Sequence, residues 1–225
     1  IAHRWPDDEG FLAVENGKIH NLKGSDTVSE FKHLSDINEL SDLTLVFGHR
    51  RLSIIELSSA GHQPFKFDHY VAVYNGEIYN YLELKLELEA SGVQFTTSTD
   101  TEVFVASYAM WGAEAFKKFN GMWAAVIYNL ETKEVVFTRD RFGVKPLYYL
   151  VDGDGIYFSS EIKFIRELKD LSEVDEDAIY QYLRYSEADI SEDTMFKSVK
   201  QLLPGCYAMV RNGELEKKEY WNNLD

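Results

Sequence analysis

The sequence is 225 residues long, the size of one large domain or at most two small ones, and its 45% hydrophobic and 27% charged residues exclude a disordered or fibrous chain. A formal net charge of −15 disfavours nucleic acids and anionic membranes as partners, and no apolar stretch approaches the roughly 20 residues that span a bilayer. The single cysteine, Cys206, excludes an internal disulfide framework and favours a cytoplasmic location.

The N-terminal part of the chain is predicted to be mainly irregular, followed by short strands. Asp7-Asp8-Glu9 has the composition of a solvated turn, and the polar segment Asn16–Leu43 shows no clear period, which predicts an extended surface loop. Strands are predicted where Leu45–Phe47 leads into His49–Leu57, and at the β-branched and aromatic run Tyr70–Tyr74.

Two helices are predicted next. The segment Tyr79–Ser91 alternates leucine with charged residues, which by period alone resembles a half-buried strand. Its Leu, Glu, Lys and Ala content instead predicts a helix, with Asn80 placed to cap its start and Gly92 to provide a left-handed residue at its end. The segment Asp100–Gly112 is predicted to be a largely buried helix whose first turn is capped by an acidic residue.

The remainder of the chain is predicted to be mostly antiparallel β-structure. Turn residues separate four strands of a predicted meander, at Met122–Leu130, Glu134–Thr138, Pro146–Val151 and Gly155–Ser159. Helices are predicted at Ser160–Leu168 and Asp175–Arg184, and Asn212-Gly213 predicts a type I′ hairpin between Gly205–Arg211 and Leu215–Tyr220. Because strands and helices do not alternate strictly, the pattern favours a layered α+β fold over a doubly wound parallel sheet.

Two short motifs carry groups suited to a small amino acid. In His49-Arg50-Arg51 a guanidinium is able to grip a carboxylate through two hydrogen bonds, although an edge strand with solvated arginines is the simpler interpretation of the spacing. In Tyr74–Asn80 a strand is predicted to turn into a helix at Asn75 and Gly76, where free N–H groups would suit a developing oxyanion. An ordinary Asn-Gly turn is the alternative.

An acidic group completes this set of candidates. Asp100 either caps a helix or binds a substrate ammonium, and together with Arg51 it would hold the two charged ends of an amino acid. The six histidines show no metal-ligand spacing, so no metal site is expected, and no glycine-rich phosphate loop is present.

The motifs together resemble a known family, and they occur in its order along nearly the whole chain. They are His3–Asp8, Gly48–Ile54, Gly61–Pro64, Tyr74–Asn80, Asp100–Val103, Asn120–Ala124, Arg139–Tyr149, Ser159–Lys163 and Leu203–Gly205. The series resembles the glutaminase domain of glutamine-hydrolysing asparagine synthetases, which are class II, N-terminal-nucleophile glutamine amidotransferases. The resemblance implies a four-layer αββα sandwich, two antiparallel sheets between helices, that hydrolyses glutamine to glutamate and ammonia.

The resemblance also implies a role for each site residue. Arg51 would bind the α-carboxylate of glutamine, and Asp100, helped by Glu77, its α-ammonium. Asn75 and Gly76 would form the oxyanion hole. No cofactor is expected in this domain, whereas ATP and Mg²⁺ are expected in a C-terminal synthetase domain of the same polypeptide, which would use the ammonia to amidate aspartate.

The chain departs from the family at the nucleophile. Family members use an N-terminal cysteine whose own α-amine is the base. We expect residues 1–225 to be the amidotransferase domain without the segment that carries this cysteine, with Cys206 structural and the fragment itself inactive. Trp5 also replaces the usual glycine of the family motif.

Two other functions and one assembly are open at this point. One alternative is a catalytically silent, glutamine-binding or scaffolding module. Another is an amidotransferase for a sugar or another carboxylate. The sequence also leaves a homodimer open.

Overall fold

The computed structural model describes residues 8–27, 32–51, 61–153, 155–186 and 191–222, with the backbone alone for residues 32–35 and 51. In these ranges the chain forms thirteen strands and five α-helices. The strands are β1 Asp8–Glu15, β2 Lys18–Lys23, β3 Lys32–His33, β4 Leu43–Arg51, β5 Phe65–Phe67, β6 Tyr70–Ile78, β7 Gly121–Asn129, β8 Val135–Arg139, β9 Tyr148–Asp152, β10 Gly155–Ser159, β11 Lys200–Gln201, β12 Cys206–Arg211 and β13 Glu214–Glu219. The helices are α1 Tyr81–Ala90, α2 Asp100–Trp111, α3 Ala115–Lys118, α4 Ile162–Leu168 and α5 Glu176–Tyr185.

A six-stranded antiparallel sheet, in the order β13-β12-β8-β7-β6-β5, forms one layer. Its long central pair is β6 and β7, which stay in register over nine residues. Helices α1, α2 and α3 cover one face through buried aromatic side chains such as Phe104, Phe116 and Trp123. This face carries the even-numbered residues of β6, because successive side chains of a strand point to opposite faces.

The second layer contains two smaller sheets, β3-β2-β1-β4 and β10-β9-β11. Between the two layers lies a core that includes Leu12, Phe47, Val73 and Phe137. Helix α4 packs through Ile165 on the outer side of the β9–β10 sheet. Helices therefore flank two sheet layers, which is the predicted αββα arrangement.

Helix α1 confirms that composition outweighs the period-two leucine pattern. Leu84 and Leu88, four residues apart, are buried on one side of the helix. Leu82 and Leu86 lie on the other side and are 58% and 67% exposed. A strand would have placed all four leucines on one face.

The helix ends partly differ from the prediction. Asn80 precedes α1, but its side chain accepts a hydrogen bond from the Asn120 N–H instead of capping the helix. Helix α2 is capped by the Thr99 hydroxyl, which accepts from the N–H of Glu102, so the prediction of an acidic cap was wrong. Gly92 does have the predicted positive φ, 94°.

Two predicted connections were wrong for topological reasons. The proposed meander is broken, because β8 pairs with β7 and β12 while β9 pairs with β10 and β11 in another sheet. Asn16–Leu43 is not one loop, since it contains β2, β3 and a 3-10 helix. The missed signal was the dipeptide Asn16-Gly17, whose φ values of 49° and 78° form a two-residue turn between β1 and β2.

The same signal correctly predicted the last hairpin. Asn212 and Gly213 have φ values of 51° and 80° and join β12 to β13. Helices α4 and α5 and strands β7 to β10 also lie where they were predicted, within a few residues, whereas β1, β5 and β11 were not predicted.

The acidic N-terminal residues are not a solvated turn. Asp8 and Glu9 begin β1 and are buried. Asp8 pairs with His62, and Glu9 accepts a hydrogen bond from Arg50, since buried carboxylates need partners. Asp7 and Trp5 lie outside the described residues, as does the second half of the strand predicted at His49–Leu57.

Candidate active site

Asn75 and Gly76 lie inside a strand, not at a strand-to-helix turn as predicted. Strand β6 continues to Ile78, and the two residues stand opposite Ala124 and Trp123 of β7. Their N–H groups are therefore placed by a long, regular ladder.

Gly76 is required by the close approach of the two strands. A Cβ atom at this position would lie 2.3 Å from the carbonyl oxygen of Met122 and 2.7 Å from Cα of Trp123. Both atoms belong to the backbone and cannot move aside independently. Any residue with a side chain would push β6 and β7 apart.

The outer edge of β6 carries a row of polar groups next to Gly76. In the described part of the chain, β5 pairs with β6 only at Tyr70–Ala72. Farther along the edge, the Tyr74 backbone bonds to the Gln63 side chain, and the Ile78 N–H donates to Asp100 Oδ2 at 3.1 Å. Backbone groups of a strand alternate in direction, so the Gly76 N–H points to this same edge, between Gln63 and Asp100.

Asp100 is held at the end of this edge by donors from Tyr74, Ile78 and Thr101. It is the first residue of α2 and is buried, with Oδ2 accepting from the Tyr74 hydroxyl at 2.9 Å and from Ile78 N–H. Burial raises the pKa of Asp100 above its ordinary value, partly opposed by these hydrogen bonds. Burial, followed by the negative charge of Asp100, raises the pKa of Tyr74 well above its usual value.

Glu77 adds a second carboxylate beside Asp100. It is half-buried, and its charge contributes to the raised pKa of Asp100. Two carboxylates in one partly buried place are unfavourable without a cation, because each disfavours ionisation of the other. Asp100 and Glu77, the two residues predicted to bind an ammonium group, are thus near enough for their charges to interact.

Asn75 faces the interior between the two sheet layers. It shares a face of β6 with Val73 and lines a cavity of about 730 Å³ that extends towards β10 and α4. Above it, His49 Nε2 lies 3.1 Å from the Tyr74 carbonyl oxygen, so this ring nitrogen is the donor. The cavity leaves room for a reacting group beside the Asn75 amide.

Arg51 ends β4, opposite Asp8 of β1, and its side chain lies outside the described residues. Its neighbour Arg50 is not solvated, since it donates to Glu9 and Asp26. Arg50 thus forms structural ion pairs, which leaves Arg51 as the candidate for the substrate carboxylate.

Cys206 does not have the properties of an activated nucleophile. Burial raises the pKa of its thiol, and the nearby charges of Glu219 and Glu192 raise it further. The residue is on β12, three strand spacings or roughly 14 Å from β6. A raised pKa leaves little thiolate at neutral pH, which agrees with a structural role.

Metal sites and membrane-spanning helices are not found in the described ranges. There, no three His, Cys, Asp or Glu side chains are grouped in a way that could hold a metal ion. Within the same ranges, no helix has the length and hydropathy to cross a membrane.

The site has one well-defined polar residue to which the sequence assigned no role. Gln63 was noted as part of the Gly61–Pro64 motif, but its side-chain contacts with β6 depend on a long-range approach that no local pattern reveals.

The chain is similar to proteins of known family. The family described as glutamine amidotransferase domain matches residues 34–221. Asparagine synthetase [glutamine-hydrolyzing] 1 of Bacillus subtilis is 40% identical over 98% of this chain and 31% of its own length. Putative asparagine synthetase [glutamine-hydrolyzing] 2 of Methanocaldococcus jannaschii is 36% identical over 81% of the chain and 34% of its own length.

Solved structures show the same fold. The glutamine phosphoribosylpyrophosphate amidotransferase of B. subtilis superposes with a TM-score of 0.66 at 20% identity, covering 98% of this chain and 44% of that one. The predicted N-terminal-nucleophile fold is thereby confirmed. The chain spans about a third of the length of the asparagine synthetases that it matches. Its sequence over residues 34–221 and its fold together establish that the chain belongs to the glutamine amidotransferase domain family.

Proposed function

We propose that this chain is the glutaminase domain of a larger amidotransferase that hydrolyses glutamine and transfers the ammonia to aspartate. One observation carries the proposal, namely the edge of β6, where the Gly76 N–H lies next to the Asp100 and Glu77 carboxylates. Two residues along a strand span roughly 6.6 Å, the scale of an extended glutamine from its ammonium to its amide oxygen. A single strand edge thus suits both ends of this substrate.

The substrate is proposed to bind through three groups. Asp100 and Glu77 hold the α-ammonium, and Arg51 holds the α-carboxylate. The side-chain amide of glutamine then reaches the Asn75 side-chain amide and the Gly76 backbone N–H, and both donate to its oxygen. These donors are fixed before the reaction, so they stabilise charge that develops on the oxygen without reorganising.

The proposed reaction begins with a cysteine at the N-terminus of the full-length protein. Its α-amine takes the thiol proton, a C–S bond forms to the amide carbon, and the electron pair of the C=O bond moves to oxygen. Collapse of this oxyanion breaks the C–N bond and releases ammonia, which takes the proton from the amine. Water then hydrolyses the thioester to glutamate.

The ammonia is proposed to react in a second domain of the same polypeptide. The relatives are about three times as long as this chain, which supports a C-terminal synthetase domain with ATP and Mg²⁺. We place the protein in the cytoplasm, in keeping with its one cysteine and its acidic composition.

The experiment measures glutaminase activity of the full-length protein and of two variants. Arg51→Ala should raise KM strongly, because it removes the carboxylate-binding group, with little effect on saturated turnover. Asn75→Ala should instead lower kcat by about 10²–10³-fold, because one oxyanion donor is lost.

The matched control for the first variant is Arg50→Ala, which removes a guanidinium one residue away that is already paired with Glu9 and Asp26. It should lower stability and leave KM near the wild-type value. A wild-type protein with no glutaminase turnover, or turnover insensitive to a thiol-alkylating glutamine analogue, would favour the silent module instead.

A further inference from the structure

The edge of β6 is completed by a side chain where its neighbouring strand stops. Strand β5 ends its pairing at Ala72, and the next outward-facing residue, Tyr74, is bonded by Gln63. Gln63 Oε1 accepts from the Tyr74 N–H at 2.7 Å, and Gln63 Nε2 donates to the Tyr74 carbonyl at 2.9 Å. The glutamine side chain is 5% exposed.

These two hydrogen bonds replace the pair that a neighbouring strand would make with Tyr74. A primary amide offers one donor and one acceptor with the spacing of a peptide group, and here both are used on a single residue. The Tyr74 carbonyl also contacts His49 Nε2 at 3.1 Å, from β4 in the other sheet layer. Tyr74 is therefore held by two groups that come from outside its own sheet ladder.

Gly76 lies between two such fixed points on the same edge. Gln63 holds Tyr74 on one side, and Asp100 holds the Ile78 N–H on the other. Gly76 has no side chain with which to anchor itself, so the orientation of its peptide depends on its neighbours and on the ladder to β7.

We propose that Gln63 is a positioning residue for the oxyanion hole. By fixing the Tyr74 peptide in place of a strand, it aims the Gly76 N–H at the oxygen of the bound substrate. The inference rests on the proposed function, and it adds a role that acts on the chemical step. Among the described residues, the hydrogen bonds of Gln63 go to the Tyr74 backbone and not to Asp100 or Glu77. Its loss reaches Asp100 only through Tyr74, so it should affect the chemical step more than substrate affinity.

The test compares two buried glutamines in the full-length protein. Gln63→Met removes both hydrogen bonds to Tyr74 while keeping the side-chain length. Gln201→Met is the matched control, because Gln201 is also buried and bonds through both amide atoms, to Ser191 and Arg139, away from the site. Both variants should lose stability.

The two variants should differ in turnover. Gln63→Met is expected to lower kcat for glutamine about tenfold to a hundredfold with KM within about twofold of wild type, since a small misplacement of a catalytic donor is costly. Gln201→Met should leave both constants near wild type. Gln63→Glu keeps the acceptor for the Tyr74 N–H but turns a carboxylate oxygen towards the Tyr74 carbonyl, so it should also lower kcat more than it raises KM, which keeps the test available if the Met variant does not fold.

Two outcomes separate this inference from the proposed function. A wild-type protein without glutaminase activity contradicts the proposed function. An active wild type in which Gln63→Met and Gln201→Met show equal kcat values, or in which Gln63→Met mainly raises KM, overturns the positioning role alone.

Discussion

At the scale of single residues, two of the buried aspartates have opposite consequences. Asp140 accepts hydrogen bonds from the backbone N–H groups of four residues, Trp123, Phe142, Val144 and Lys145. Asp100 accepts from Tyr74, Ile78 and Thr101, but the charge of Glu77 opposes its ionisation and burial raises its pKa. The first carboxylate is satisfied by the fold, whereas the second remains under-compensated until a cation binds.

Replacing Asp100 is therefore expected to stabilise the protein and abolish its function. Because the folded pKa of Asp100 is raised, the stability that this group contributes is present at acid pH and is lost as the pH rises through that pKa. Asp100→Asn removes the buried charge and keeps an oxygen to accept from Tyr74 and Ile78. At neutral pH we expect a higher midpoint of thermal unfolding and a severe loss of glutamine affinity. A lower midpoint would contradict this account.

The same group should make glutamine binding weaker at acid pH. Asp100 binds an ammonium as the carboxylate, so protonation weakens binding. Because its pKa is raised, KM should begin to increase at a higher pH than it would for an ordinary aspartate, as the pH is lowered from neutral to acid. KM measured across this range tests it, and a KM that stays constant to the acid end would exclude Asp100 as the ammonium ligand.

At the scale of elements, the loop that follows β8 is held by hydrogen bonds from two side chains at its own start. The guanidinium of Arg139 donates to the carbonyl oxygens of Lys145, Gly143 and Leu202, while Asp140 accepts from the N–H groups of the same loop. One cation and one anion, adjacent in sequence, thus satisfy both kinds of backbone group. The loop needs no regular secondary structure to be well ordered.

Asp140→Asn should destabilise the domain, in contrast to Asp100→Asn. The amide loses one acceptor and faces backbone donors with its own N–H₂ group. Leaving buried donors unpaired costs about 1–3 kcal/mol each, so we expect a loss of about 2–4 kcal/mol in urea unfolding. Asp68→Asn, at an exposed residue with a positive φ of 53° that Asn also tolerates, should change stability by less than about 0.5 kcal/mol. Equal effects at the two positions would refute the role of Asp140.

The sequence predicted elements whose signals are local and missed those that depend on distant partners. Asn212-Gly213 and the composition of α1 are local, and both predictions were correct. The break between β8 and β9 was missed because the partner of β8 is β12, some 70 residues later. At the site, the resemblance predicted Asn75, Gly76 and Asp100, but no local pattern shows that Gly76 lies within a strand.

At the scale of the whole molecule, the proposed function predicts that glutamine hydrolysis is independent of metal and that amide transfer is not. Adding a strong chelator to the full-length protein should leave glutamine hydrolysis unchanged and abolish ATP-dependent amidation of aspartate, because Mg²⁺ is expected to accompany the ATP phosphates. Glutamate and asparagine, measured in the same samples, separate the two activities. Parallel loss of both would mean that the glutaminase site itself needs a metal or that the domains are tightly coupled.

The short β5 strand also affects the tendency of this protein to associate with other chains. An uncovered sheet edge with a continuous row of N–H and C=O groups is a template for intermolecular strand pairing and aggregation. On β6 that row is interrupted by the amide of Gln63 and the carboxylate of Asp100. Among the described residues, an invading strand finds no continuous register there, whereas the proposed substrate is a single amino acid. Gln63 and Asp100, which interrupt this edge and would favour a small substrate, thus also protect the sheet from self-association.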